Sequence, residues 1–468
     1  MTDLPSDPLR DTSLARLAQR VRAGDLRAAD LVEVYLARIA ALEPKLQAFE
    51  HVDAAAARRD AAEIDRRRAA GAPLGPLAGL PVAVKDLFVV DGMPTTGGSA
   101  LDLSAMLPVR EGPFVAALRA AGAVILGKTR TVEFAFGATG INHIRGTPWN
   151  PADMSVHRIP GGSSSGSAVA VAGGLAAFAI GSDTGGSVRI PAALCGTFGL
   201  KTSRGLWPTD GVLPLAPTFD TVGLLTRSAA DADFLFAALQ GPGSTVRPPA
   251  PSELRLVLPT GYDSPSEPAV AAAFAAAVEA LSAAGVALGE VAMAEATERA
   301  GIFPVVLAAE LMERFGRARF DAERARIDPL VATRMERALS TAPSEYRAAV
   351  QRTRDLAAIM EDRLSGFDGW IAPTTAILAP EVSAFEDLDR ALDLTLGITC
   401  NTQPANLFDQ CAVTVPLPVD GLPVGFQIAA PAGRDARLLA IARTLEQVLG
   451  GGRPPASSDL SEVRAHHA

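Results

Sequence analysis

Hydrophobic residues in the first 70 positions recur every three or four residues, the spacing of helices that bury one face. This pattern predicts helices over 13–22 and 28–42, and an alanine-rich, charged helix over 52–70. A segment rich in glycine and proline begins at Gly71 and ends the run. The amino-terminal part of the chain is therefore expected to be helical.

Short apolar runs alternate with helical patterns from residue 80 onward. The run 80–90 predicts a strand with Lys85 inside it or at its end. A helix over 114–121 leads into the apolar strand 122–127, of the kind that a parallel sheet buries on both faces. The stretch 307–363 is predicted to be long, charged and helical. The alternation indicates an α/β architecture, without an internal repeat or a clear linker between domains.

Composition narrows the class of protein. The chain has 468 residues, of which 48% are hydrophobic and 20% charged, so it can bury a sizeable core. Its formal net charge of −9 argues against nucleic acid as a partner. The three cysteines are too few and too scattered for a disulfide framework or a zinc site, and the histidines lack the spacing of metal ligands. The sequence therefore predicts neither disulfides nor a metal site. Without an export signal or an apolar run of the roughly 20 residues that a membrane span needs, we expect a soluble, cytoplasmic protein that does not bind membranes.

Lysine is rare in this chain, because only four of the 43 basic residues are lysines. Arginine stays protonated in proteins, whereas a buried lysine can lose its proton. Lys85 lies in the apolar sequence Val-Ala-Val-Lys-Asp-Leu-Phe and is a candidate for proton transfer. Lys45, in a turn-like Glu-Pro-Lys-Leu sequence, is interpreted as a surface residue.

Two loops rich in glycine and serine, 160–167 and 181–187, flank one apolar segment. A phosphate-binding loop would need a lysine before its Ser or Thr, and neither loop contains one. The sequence Gly-Ser-Ser-Ser-Gly at 162–166 fits a nucleophile elbow, but the only later histidines are His466 and His467. A Ser–His–Asp hydrolase is therefore disfavoured.

The remaining hypothesis for these loops is a serine nucleophile that is activated by a lysine base. Serine needs an adjacent base, and lysine can act as one only when burial or a nearby positive charge keeps it neutral. Asp86 would oppose this at Lys85 unless strand alternation turns its carboxylate to the other face. Consecutive backbone N–H groups in the second loop can converge on an oxyanion. These groups belong to Thr184, Gly185, Gly186 and Ser187.

At these residues the sequence resembles the amidase signature family. The matching segments contain Lys85, the two glycine-rich loops, the sequence Cys-Gly-Thr-Phe-Gly-Leu-Lys at 195–201 and Gly-Leu-Pro-Val-Gly-Phe-Gln-Ile at 421–428. The resemblance implies that Ser187 is the nucleophile, Lys85 the neutral base and Ser163 a bridging serine in a cis peptide with Gly162. It implies that the amides from Thr184 to Ser187 form the oxyanion hole, and it implies neither a cofactor nor a metal.

The resemblance also implies a fold and its division. We expect a single large α/β domain with a central mixed, mostly parallel β-sheet covered by helices on both faces. The expected parts are an N-terminal tail (1–9), the amidase signature domain (10–450) with a catalytic core at about 77–225 and a variable substrate-side region at about 250–400, and a C-terminal tail (451–468). Substrate pockets are expected from the variable segments 130–147, 300–350 and 375–400.

The leading functional prediction is a free-standing, homodimeric amidohydrolase. It would cleave the C–N bond of a small-molecule amide through a serine acyl-enzyme, releasing ammonia or an amine and a carboxylic acid. The alternatives are a glutamine-hydrolysing component like that of an amidotransferase, a hydrolase of urea-like amides such as allophanate, a catalytically silent scaffold and a nucleotide-binding protein. Arg158 and Arg189 could bind a substrate carboxylate, but both are predicted to be structural.

Overall fold

A computed structural model of the chain describes residues 4–241, 243–262 and 265–451. Within these ranges the chain forms one α/β domain with a sheet of eleven strands and fifteen α-helices. Apart from residue 451, the predicted C-terminal tail lies outside the described residues. At the other end, residues of the predicted N-terminal tail pack on the domain, since Leu9 is buried and Asp7 forms a buried ion pair with Arg227.

The strands are β1 (Phe49–Val52), β2 (Pro81–Lys85), β3 (Val124–Thr129), β4 (Phe178–Asp183), β5 (Phe198–Lys201), β6 (Thr221–Thr226), β7 (Arg255–Thr260), β8 (Ala287–Ala292), β9 (Gly369–Pro373), β10 (Cys411–Pro416) and β11 (Gly425–Ala430). The helices are α1 (Leu14–Ala23), α2 (Ala28–Leu46), α3 (Ala54–Ala69), α4 (Pro113–Ala120), α5 (Ser165–Ala172), α6 (Arg189–Cys195), α7 (Ala229–Gln240), α8 (Pro268–Ala283), α9 (Arg299–Phe315), α10 (Arg317–Glu323), α11 (Pro329–Ser340), α12 (Pro343–Arg363), α13 (Leu388–Thr399), α14 (Gln403–Leu407) and α15 (Asp435–Leu449).

The strand order is β1-β3-β2-β4-β6-β5-β10-β11-β9-β7-β8. The expectation of a mixed sheet is confirmed, but "mostly parallel" is wrong. Only the pairs β2–β3, β2–β4, β7–β8 and β7–β9 run parallel, and the other six neighbouring pairs run antiparallel. Parallel neighbours need a crossover of a dozen or more residues, usually with a helix. The short connection 417–424 between β10 and β11 contains no helix, so these strands form an antiparallel pair.

The sheet interior is covered on both sides. Every residue of β2, β4 and β6 is buried. Since successive side chains of a strand point to opposite faces, both faces must be packed. Helix α5 contacts β4 and β2, while α7 and α15 contact the neighbouring strands β5, β6, β10 and β11. The residues at the ends of the central strands are therefore positioned by strands that are buried along their whole length.

Two predictions about local structure need correction. The stretch 307–363 is not one helix, because it contains the end of α9, and α10, α11 and α12. The chain turns at Gly316, whose φ of 90° suits glycine, and α11 and α12 each begin with a proline, which favours the first turn of a helix. In the region predicted to be helical, β1 lies between α2 and α3 and pairs with the apolar strand β3.

Candidate active site

The ends of two parallel strands bring the first functional side chains together. Strands β2 and β4 are neighbours, so their carboxyl ends lie at the same edge of the sheet. Lys85 is the last residue of β2, and Ser182 lies near the end of β4. The buried Lys85 Nζ lies 2.7 Å from Ser163 Oγ and 2.9 Å from Ser182 Oγ. The structure therefore joins Lys85 to Ser163 and adds Ser182 as a second hydroxyl partner.

Burial controls the charge of this lysine. Removal from water lowers the pKa of Lys85 from 10.5 to about 7, although the nearby carboxylates of Asp183 and Asp220 act in the opposite direction. Asp86 points elsewhere, because its Oδ1 accepts a hydrogen bond from Lys128 Nζ at 2.7 Å. The Asp86 carboxylate therefore points away from Lys85 and does not oppose its deprotonation, as the serine–lysine hypothesis required. At neutral pH a large share of Lys85 carries no charge.

Ser163 follows Gly162 through a cis peptide bond, as the family resemblance implied. Its carbonyl oxygen accepts a hydrogen bond from the Thr131 hydroxyl at 2.9 Å. The Gly162 amide donates to the carbonyl oxygen of Ala138 at 2.7 Å. These bonds fix the loop that presents the Ser163 hydroxyl to Lys85.

Ser187 lies in the second glycine-rich loop, between β4 and α6, and lines a cavity. The Ser164 amide donates to the Ser187 carbonyl oxygen at 3.1 Å, so the two serine-bearing loops are in direct contact. Within the described ranges, no hydrogen bond occupies Ser187 Oγ. Ser187 is 8% exposed, and it borders a space that a small molecule can enter.

The amides of the second loop are not equivalent. The Gly186 N–H, one of the four predicted oxyanion donors, donates to Asp183 Oδ1 at 2.8 Å and is therefore committed. In the described part of the chain, the amides of Thr184, Gly185 and Ser187 have no hydrogen-bond acceptor. Gly186 has a φ of 122°, and a Cβ there would lie 2.3 Å from Thr402 Oγ, so glycine is needed at this turn.

Two aspartates hold this loop, the buried Asp183 and the half-buried Asp220. Asp183 forms an ion pair with Arg189, with Oδ1 2.9 Å from Nη2. Burial alone would raise the pKa of Asp183, but the Arg189 guanidinium holds it well below its usual range. Asp220 accepts a hydrogen bond from the Thr184 hydroxyl at 2.6 Å. Arg189 is thus structural, as predicted, and Arg158 pairs with Asp153 at 2.8 Å.

Sequence reasoning missed the roles of Ser182, Asp183 and Asp220. The first two stand in the quoted sequence Gly-Ser-Asp-Thr-Gly-Gly-Ser, directly before the glycines, and the step of six residues from Asp183 to Arg189 could have suggested an ion pair closing the loop. Asp220 gives no such signal, because it reaches Thr184 only through the pairing of β4 with β6.

A cavity of about 350 Å³ opens beside Ser187. Thr184 and Gly185 form part of its wall next to the serine, and most of the remaining wall is apolar, including Phe136 and Phe303. The wall draws on the segments 130–147, 300–350 and 375–400 that were expected to supply substrate pockets, together with residues outside them such as Leu215 and Gln403. Among the described residues there is no cluster of three or more metal-ligating side chains, and no helix has the length and apolarity to cross a membrane.

An α/β domain in which a buried lysine contacts a serine beside a glycine-rich loop has the arrangement of serine–lysine hydrolases. The chain belongs to the amidase family, whose model matches residues 30–439. It is 38% identical over 450 residues to 2-amino-5-chloromuconic acid deaminase of Comamonas testosteroni, covering 94% of this chain and 96% of that protein. It is 36% identical over 505 residues to the A subunit of the glutamyl-tRNA(Gln) amidotransferase of Salinispora arenicola, covering 97% of this chain and 100% of that protein.

A solved crystal structure of an amidase superposes with a TM-score of 0.85 at 32% identity, covering 94% of this chain and 100% of that one. The chain is an amidase-signature hydrolase.

Proposed function

We propose that this chain hydrolyses the C–N bond of a small-molecule amide through an acyl-enzyme on Ser187. The observation that carries the proposal is the 2.7 Å contact between Ser163 Oγ and the Nζ of Lys85, whose pKa is lowered to about 7 by burial. A base with this pKa is half deprotonated at neutral pH and can still return the proton to a leaving amine.

The proposed reaction has two stages. Ser187 Oγ attacks the amide carbonyl carbon while its proton passes to Ser163, and the Ser163 proton passes to Lys85. The amides of Thr184, Gly185 and Ser187 stabilise the oxyanion that forms. The C–N bond then breaks, and the proton returns through Ser163 to the leaving nitrogen.

Water completes the cycle by the same relay. It attacks the Ser187 ester, gives one proton through Ser163 to Lys85, and releases the carboxylic acid as Ser187 Oγ regains a proton. One amide and one water thus yield one acid and one amine or ammonia. The reaction needs no other reactant.

An activity panel tests the proposal. We expect wild-type protein to release ammonia or amine from simple amides, Ser187→Ala to release none, and Lys85→Ala to lose several orders of magnitude in kcat/KM near pH 7. Ser163→Ala should lose roughly 10²- to 10⁴-fold. Ser165→Ala is the matched control, because among the described residues the Ser165 hydroxyl donates only to the Arg130 carbonyl, at 3.2 Å. We expect this variant to stay within a few-fold of wild type. A Lys85→Ala protein that keeps most of its activity would contradict the assigned roles.

A second candidate is glutamine hydrolysis for a partner protein, favoured by the similarity to a component of a glutamyl-tRNA(Gln) amidotransferase. The panel separates the two, because a free-standing hydrolase should release ammonia from small primary amides but not from glutamine. Preference for glutamine, with stable partners retained during purification, would favour the amidotransferase component. The proposal also includes a homodimer in the cytoplasm, which light scattering and cell fractionation would check.

A further inference from the structure

The cavity beside Ser187 has an unusual charge balance. Three arginines line it, Arg299 on α9 and Arg334 and Arg337 on α11, and none of the described lining residues is acidic. The whole chain carries a formal net charge of −9, so this local positive charge is not a general property of the surface. The remaining wall is largely apolar, so the charges act in a medium that screens them less than water does.

The three arginines differ in their partners. Arg337 is neutralised by Glu345, with Nη2 2.5 Å from Oε1. In the described ranges, Arg299 and Arg334 form no ion pair. The single hydrogen bond that Arg334 forms with described residues runs from Nη1 to the carbonyl oxygen of Phe136, at 2.7 Å. A guanidinium has five N–H donors, so most of those of Arg334 remain available.

The same contact places Arg334 close to the candidate catalytic groups. Phe136 lies two residues before Ala138, whose carbonyl oxygen accepts the Gly162 amide at 2.7 Å. Gly162 in turn precedes Ser163. Burial lowers the pKa of Arg334, and the nearby carboxylate of Asp328, which pairs with His143, acts in the opposite direction without cancelling that effect. The site therefore holds this cation at a cost. An anionic ligand would offset that cost.

We propose that Arg334 binds a carboxylate carried by the substrate, so that the enzyme acts on amides with a second, anionic group, such as the half-amides of dicarboxylic acids. A planar guanidinium binds a carboxylate through two parallel hydrogen bonds, which fixes both the charge and the orientation of the ligand. The apolar wall then packs against the carbon chain between the carboxylate and the amide, whose carbonyl lies at Ser187. The inference rests on the proposed function and names its substrate class.

The test compares matched substrates. Succinamate, glutaramate and adipamate carry the carboxylate on the acyl side, N-acetylglycine carries it on the amine side, and the neutral diamides lack it. We expect the wild-type protein to prefer one of the acidic series over the neutral diamides. Arg334→Gln should lose roughly 10- to 100-fold in kcat/KM on the preferred acid and less than about threefold on the neutral diamide. The preferred series shows on which side of the scissile bond the carboxylate lies.

A binding measurement separates this inference from the proposed chemistry. In the Ser187→Ala background, calorimetry should detect glutaramate or N-acetylglycine, and adding Arg334→Gln should abolish that binding. Arg334→Lys should restore only part of it, because lysine cannot form the bidentate pair. Turnover of neutral amides without preference for acids, or an equal loss on acids and diamides in Arg334→Gln, would overturn the inference and leave the proposed function standing. Carboxylate binding that depends on Arg334, without turnover of any amide, would support carboxylate binding by Arg334 and overturn the proposed function.

Discussion

Replacing Lys85 with methionine tests its uncharged state without any substrate. Methionine is apolar, similar in length and unable to titrate. In the wild-type protein the pKa of Lys85 is 10.5 when unfolded and about 7 when folded. Between these values the unfolded chain holds a proton that the folded chain has released, so the free energy of unfolding rises with pH.

The size of the effect follows from the same two values. A lowering from 10.5 to about 7 disfavours the folded state by roughly 5 kcal/mol when the pH is well below 7. From pH 7 to pH 9 the wild-type protein should therefore gain about 2 kcal/mol from this one group. Lys85→Met should lack that gain. Its loss of hydrogen bonds to Ser163 and Ser182 shifts its stability by an amount that does not depend on pH, so the comparison uses the slopes alone.

Urea unfolding of both proteins at pH 7, 8 and 9 and constant ionic strength measures the difference. All other titrating groups are shared by the two proteins and cancel. Wild-type and variant slopes that agree within about 0.5 kcal/mol over this range would refute the conclusion that Lys85 loses its charge near neutral pH.

Three further predictions concern the same region. The kcat/KM should rise with pH around a midpoint near 7, because Lys85 must be neutral to accept a proton, and a profile that falls between pH 6 and 8 would contradict this. Asp183→Asn should lower the free energy of unfolding by about 3–5 kcal/mol, because it leaves a buried arginine unpaired, whereas Glu63→Gln in an exposed ion pair should cost less than about 1 kcal/mol by the same urea assay. Gly186→Ala should reduce both the melting temperature and kcat, because Gly186 lies in the loop that carries the candidate oxyanion donors and an added Cβ would collide with the Thr402 side chain. An unchanged melting temperature would count against that geometry.

The sequence predicted the residues whose chemistry is unusual for their surroundings. Lys85 stands out as one of four lysines, inside an apolar run, and its contact with Ser163 in the structure agrees with the resemblance. The glycines of the loop before Ser187 were also visible. These features depend on local sequence, which is why they could be found without coordinates.

Features that depend on distant pairing could not be predicted. The central antiparallel strands follow from connections that lack helices, but their order in the sheet depends on which apolar runs pack together. Arg334 is one of many arginines in the chain, and only the fold shows that it lies on the cavity wall without a carboxylate partner among the described residues. Sequence reasoning instead considered Arg158 and Arg189, which the structure pairs with Asp153 and Asp183.

The charge of Lys85 can be observed directly, because a chain with four lysines gives only four side-chain signals. Protein labelled with ¹³C at lysine Cε would be titrated by NMR from pH 5 to pH 10, alongside the Lys85→Met variant. We expect one signal that titrates near pH 7 in the wild-type protein and is missing from the variant. If the signal lost in the variant keeps the chemical shift of a charged lysine up to pH 9, the lysine is no base at neutral pH and the proposed mechanism is wrong.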